Sequence, residues 1–168
     1  ALNKGASRPR GIARTVVKSL GILGAGQMGA GIATTAAQKG IHVVLKDTSL
    51  ENAEKGKAYA AAAYAKNKRV SDDQAQQYLA RIKASDDYAD LAACELVIEA
   101  VFEDRKVKAS VTRECEAVLP ATAVLASNTS ALPISELAEA SVRAANFIGM
   151  HFFSPAEKMP LVEIIRGR

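Results

Sequence analysis

Residues 19–33 read SLGILGAGQMGAGIA, and this stretch decides the fold class. A short apolar run, Val16–Leu23, meets Gly24, and the spacing Gly24-x-Gly26-x-x-Gly29 leads directly into an Ala-rich helical segment, Met28–Lys39, closed by Gly40. Each glycine answers a separate demand of a strand–turn–helix that grips a pyrophosphate. Gly24 makes the tight turn, Gly26 lets the backbone approach the phosphates, and Gly29 lets helix and strand pack closely. The first helical turn, with Gln27 and Met28, then offers unpaired N–H groups and the positive end of a dipole. Glycine spacing alone is a weak signal; the flanking strand and helix make this instance specific. Asp47 lies eighteen residues past Gly29, after the β-branched run Ile41–Leu45. Its carboxylate suits an adenosine ribose and repels a 2′-phosphate, so the expected cofactor is NAD. Lys46, a cation beside it, argues the other way, since it could hold a 2′-phosphate.

Working outward, strands and helices alternate. Further strands are expected at Leu96–Ala100, Ala123–Ala126, Phe147–Phe152 and Leu161–Ile165. Thr48-Ser49-Leu50-Glu51 carries capping-box spacing and opens a helix to about Lys68; Ser71-Asp72-Asp73-Gln74 opens another to about Lys83. Asp104–Leu119, stopped at Pro120, and the short Pro133–Ala138 complete the helices. The pattern predicts an α/β fold: a Rossmann-type, doubly wound, mainly parallel sheet with a protruding helical hairpin. Residues 16–168 form that domain. The Gly/Pro/Arg-rich segment 1–15, which begins with Ala, reads as a linker from a preceding domain.

The bulk numbers fit one soluble domain: 168 residues, 49% apolar and 24% charged. The net charge of +4 is concentrated in Lys4, Arg8, Arg10, Arg14 and Lys18, and with Trp absent no nucleic-acid surface is expected. No apolar run is long enough to span a membrane. Cys94 and Cys115 lack metal-ligand spacing and read as free thiols of a reducing compartment, so no metal is expected.

Two polar residues sit in apolar runs near the C-terminus: His151 in FIGMHF and Glu163 in LVEII. An unpaired buried carboxylate costs several kcal/mol or takes up a proton, so Glu163 is expected to find a partner. Paired with His151 it would fix the tautomer and raise the basicity of the imidazole, as a general base requires. Ligands of open parallel sheets bind beyond the carboxyl ends of strands. The polar clusters Glu99–Asp104 and Ser127-Asn128-Thr129-Ser130 also fall at such ends.

GILGAGQMGAGIA, VIEAVFED, SNTSALPI and GMHFFSPAEKMPLVEII resemble the NAD-binding domain of L-3-hydroxyacyl-CoA dehydrogenases, and the His-x11-Glu block is specific to that family. HFFSP with EKMPLVE is similar to the version in multifunctional fatty-acid oxidation complex alpha subunits, where a hydratase/isomerase domain precedes. The resemblance implies oxidation of (3S)-3-hydroxyacyl-CoA to 3-oxoacyl-CoA in β-oxidation. It implies His151 as general base, Glu163 as its support and Ser130 as hydrogen-bond partner of the reacting oxygen. Gly24, Gly26, Gln27, Met28, Gly29, Asp47, Ala100, Glu103, Lys108, Asn128 and Ser154 would contact the cofactor. Ser154 replaces an Asn common in single-function members. Lys66 and Lys68 would serve the CoA phosphates, in place of the family's Ser and Lys, which fall near Ala60 and Asn67. The resemblance further implies a helical domain beyond residue 168, an isolated chain with little or no turnover, and a dimeric or complexed parent in the bacterial cytoplasm or mitochondrial matrix. A non-catalytic NAD-binding relative and a β-hydroxyacid dehydrogenase of another family stay open as alternatives.

Overall fold

In the computed structural model, which describes Gly11 and residues 15–168, the glycine-rich stretch forms β1 (Ser19–Leu23) and α1 (Gln27–Gln38). The segment expected to be a linker, residues 1–15, lies outside the described residues apart from Gly11 and Thr15. Gly24 turns with φ +94°, and a Cβ there would stand 2.7 Å from the Ala100 carbonyl oxygen. A Cβ on Gly29 would fall well inside contact with the carbonyl oxygen of Gly24. Gly26 differs: a Cβ there would meet no protein atom and would project into open space. Helix and strand therefore close on two glycines and leave the third facing outward. Gly40 (φ +87°) ends α1, as its position predicts.

The chain continues through β2 (His42–Lys46), α2 (Leu50–Lys66), α3 (Asp72–Ala80) and β3 (Ile82–Ser85). After a 3-10 turn at Tyr88–Leu91 come β4 (Leu96–Glu99), α4 (Arg105–Glu116), β5 (Val124–Ser127) and α5 (Ile134–Ala138). The last strands are β6 (Phe147–Phe152) and β7 (Val162–Ile165). Seven strands form one sheet in the order β3-β2-β1-β4-β5-β6-β7, all parallel except β7, which runs antiparallel to β6. Leu20, Ile22, Val43 and Leu45 pack toward α1 and α2, while Leu23, Val97 and Leu125 pack toward α4 and α5. Burial on both faces explains why these strands read as unbroken apolar runs. The order reverses between β1 and β4, which opens a crevice at their carboxyl ends.

Three local expectations need correction. The second helix of the hairpin stops at Ala80, and Ile82–Ser85 is an edge strand in register with Val43–Lys46. IKAS has almost no strand propensity of its own, so pairing with β2 decides it. α2 is capped by Ser49, which accepts from Asn52 N at 3.2 Å, because the Thr48 hydroxyl is engaged with Asp47. It ends at Lys66; the capping box proper is Ser71–Gln74 at α3. α2 lays Ala53, Gly56, Ala60 and Tyr64 on the inner face, whereas α3 buries no residue fully and forms the outer arm of the hairpin. Among the described residues no helix is long and apolar enough to cross a membrane.

Candidate functional site

A cleft of about 660 Å³ lies at the carboxyl ends of β1, β2 and β4, and Gly24, Gly26, Gln27, Met28, Asp47 and Ala100 line it. Asp47 Oδ2 accepts from Ala25 N at 2.6 Å, and Oδ1 accepts from Thr48 N at 2.7 Å and from Asn52 Nδ2 at 3.4 Å. Burial pushes its carboxyl up, but these donors outweigh burial and hold the group below the usual carboxylate value. The same carboxylate thus ties β2 to the glycine turn and presents negative charge at the cleft. Lys46 lines the same cleft: its ammonium sits 3.9 Å from the Tyr88 ring centroid and donates to Asp47 O at 3.2 Å. The ammonium is engaged by the Tyr88 ring and a backbone carbonyl, while the Asp47 carboxylate takes its hydrogen bonds from Ala25, Thr48 and Asn52.

This geometry fits a dinucleotide. The open space at Gly26 lies before the first turn of α1, which carries no acidic residue to repel a phosphate.

Next to the cleft is a buried charge network. Glu99, 1% exposed at the end of β4, accepts from Lys108 Nζ at 2.8 and 2.9 Å, from Ser127 Oγ, and from Val101 N at 3.3 Å. Burial pushes the Glu99 carboxyl up, and Lys108, Ser127 and Val101 pull it only part of the way back. Lys108 is 2% exposed and reaches Glu103 Oε2 at 3.2 Å as well. Glu103 in turn accepts from Thr129 Oγ1, from Ser130 N at 3.1 Å and from Ala131 N at 3.2 Å. Burial raises its carboxyl, but Thr129, Lys108 and Ser130 bring it below the usual value. Glu103, expected at the cofactor along with Lys108, thus clamps the turn that carries Ser130, and Lys108 pairs with it.

His151 and Glu163 face each other across the β6–β7 pair, with Nδ1 2.9 Å from Glu163 Oε2. A carboxylate only accepts, so Nδ1 carries the proton and the neutral ring presents its Nε2 lone pair. The ring is 19% exposed and packs against Phe153 at 4.6 Å between centroids. The pairing expected for Glu163 exists, but its burial does not. The side chain is 51% exposed, because β7 is an edge strand whose four residues are all exposed. Within this chain the pair is therefore half-solvated and its Coulomb term screened.

The remaining candidates are spread out. Asn128, just past β5, accepts from Phe152 N at 2.9 Å through its side-chain oxygen. Ser154 is exposed in the loop after β6. Lys66 and Lys68 are exposed at the far end of α2, about 25 Å along the helix from Asp47, and neither lines the cleft. Sequence reasoning missed Glu99 and Ser127 as a buried hub, and Tyr88 and Phe102 as cleft residues. Glu99 carried a partial signal, a carboxylate ending the apolar run LVIE, but the direction of Lys108 nine residues on is not readable from the string. Tyr88 and Phe102 carried none, since one reaches the cleft from a 3-10 turn and the other from a loop.

With this geometry in hand, comparison with known proteins is specific. The family model for the 3-hydroxyacyl-CoA dehydrogenase NAD binding domain matches residues 19–168. The chain is 43% identical over 149 residues to a probable 3-hydroxybutyryl-CoA dehydrogenase of Deinococcus radiodurans, covering 88% of this chain and 54% of that protein. It is 42% identical over 154 residues to the fatty acid oxidation complex subunit alpha of Psychrobacter sp. PRwf-1, covering 90% of this chain and 21% of that one. The crystal structure of (S)-3-hydroxybutyryl-CoA dehydrogenase from Ralstonia eutropha superposes with TM-score 0.87 at 40% identity, covering 90% of this chain and 55% of that one. The chain thus spans about a fifth to about half of these relatives' lengths.

Proposed function

As the chain belongs to the 3-hydroxyacyl-CoA dehydrogenase family through its NAD-binding domain, we propose that it serves an NAD-dependent oxidation of (3S)-3-hydroxyacyl-CoA to 3-oxoacyl-CoA. The observation that carries this reading is the His151–Glu163 pair at the carboxyl edge of the sheet, in the same layer of strands as the glycine turn. Gly24, Gly26, Gln27, Met28 and Ala100 hold the dinucleotide backbone, and Asp47 takes the adenosine ribose. When bound, NAD supplies the acceptor for the hydride that leaves C3 of the substrate. His151 Nε2 removes the 3-hydroxyl proton, and Glu163 stabilises the imidazolium through Nδ1–H. Ser130 donates to the reacting oxygen, held in place by Glu103 on its backbone N–H. Asn128 and Ser154 flank the nicotinamide end, and Lys108 acts through Glu103. We assign Lys66 and Lys68 to CoA phosphates on sequence grounds alone. The protein acts in the bacterial cytoplasm, as a dimer or as part of a fatty-acid oxidation complex.

Two measurements test this. Titration of the chain with NADH and NADPH, followed by nicotinamide fluorescence, is expected to favour NADH by at least about tenfold, since Asp47 repels a 2′-phosphate. Equal affinities would remove the role given to Asp47. The full-length protein is expected to oxidise 3-hydroxybutyryl-CoA with NAD and to leave free 3-hydroxybutyrate untouched. Turnover of the free acid alone would point to a hydroxyacid dehydrogenase instead.

A further inference from the structure

β6 runs three residues past its pairing on one side. The parallel pairing with β5 ends at Ser127↔Gly149, whereas β6 runs on through Met150, His151 and Phe152. Successive N–H groups of a strand point to alternate sides. The Phe152 N–H points toward β5, where no β5 carbonyl remains to receive it. Asn128 fills that gap: its side-chain oxygen accepts from Phe152 N at 2.9 Å. Because the partner is a donor, the oxygen and nitrogen of the carboxamide are distinguishable here. The backbone of Asn128 is itself fixed, donating to Glu99 O at 2.9 Å. Glu99 belongs to the buried Lys108–Ser127 network, and Ser130 lies two residues further along the same turn.

His151 is thus held from two sides, by Glu163 on its ring and by Asn128 on the peptide that follows it. The geometry points to Asn128 as a positioning residue that sets the His151 imidazole relative to Ser130, with its side-chain oxygen standing in for the missing continuation of β5. This inference rests on the dehydrogenase reading above. It gives Asn128 a task independent of any contact with the nicotinamide. The relevant atom is the acceptor oxygen, so the two ends of the carboxamide make different predictions.

Asn128→Ala removes the acceptor, and Asn128→Asp keeps it while replacing the outward N–H₂ by oxygen. Amide exchange in the chain reads the clamp directly. Phe152 N–H is expected to exchange at least about tenfold faster in Asn128→Ala and at the wild-type rate in Asn128→Asp. In the full-length protein Asn128→Ala is expected to lower kcat by about 10–10²-fold with little change in the KM for NAD. Asn128→Asp is expected to restore kcat to within about fivefold of wild type. Wild-type kcat in Asn128→Ala would overturn the proposal. So would an Asn128→Asp enzyme as slow as Asn128→Ala with Phe152 still protected, since the amide donor would then be what matters. If the wild-type protein shows no dehydrogenase turnover, the functional reading fails, while the exchange rates still report on the clamp.

Discussion

Replacing His151 by Gln in the full-length protein is expected to lower turnover of 3-hydroxybutyryl-CoA by about 10²–10⁴-fold, the usual contribution of a positioned general base. The Nε2 lone pair is what the reaction uses, and Gln offers no group that can carry the proton away. NADH affinity is expected to stay within about twofold, because His151 is not among the residues that line the Asp47 cleft and separate sites are close to independent. Glu163→Gln is expected to have a smaller effect, about tenfold, since its carboxylate is half-exposed in this chain and exposed ion pairs contribute little. Steady-state kinetics paired with NADH titration checks both. A His151→Gln enzyme at wild-type kcat would sink the assignment of the base. Loss of NADH binding in that variant would show that the ring supports the cofactor site instead.

The largest effect on stability is expected from Lys108→Met. It leaves Glu99 buried without its cation and removes one of the donors to Glu103. Breaking a buried ion pair from one side costs about 3–5 kcal/mol, a large share of the roughly 5–15 kcal/mol that holds a domain together. The pH dependence has a definite sign. Burial already raises Glu99 above its ordinary 4.5, so the folded state binds more protons than the unfolded one in the interval above that value. Stability therefore falls as pH rises through the interval. Removing Lys108 lifts the folded value further and carries the interval toward neutrality. The deficit of Lys108→Met relative to wild type is expected to be larger at pH 8 than at pH 5 in urea melts. A deficit independent of pH would mean that Glu99 is not the group left stranded. Glu103 contributes in the opposite sense, because its folded value is depressed: its stabilisation is present above the ordinary value and lost below it.

Glu163 has the partner expected of it, yet the demand that a buried carboxylate be paired falls hardest on Glu99. A carboxylate inside an apolar strand must find a partner when the strand is buried. Glu163 lies on edge strand β7, where solvent can serve it; Glu99 lies on central strand β4, where only Lys108, Ser127 and Val101 can. LVEII and LVIE are nearly indistinguishable as strings. Their difference is a property of sheet order, which places β4 beside β1 and β7 at the rim. The direction of Lys108 was hidden likewise, since nothing in the spacing of VFEDRKVK tells whether the last lysine turns outward or into the sheet.

Local rules with no competing partner were legible from the chain alone. Gly24, Gly29 and Gly40 are demanded by backbone geometry within a few residues, and α/β alternation follows from apolar periodicity. The pairing of His151 with Glu163 was legible too, because two polar residues in apolar strands have few other partners. What the tertiary structure alone decided are matters of long-range juxtaposition. Ile82–Ser85 became a strand by pairing with β2. The Lys46 ammonium was set over the ring of Tyr88, forty-two residues away. Asn128 was recruited to hold the strand of His151, where β5 stops short of β6. Each turns on which groups are left without a partner once the sheet is assembled, and that is settled by the order of strands in space.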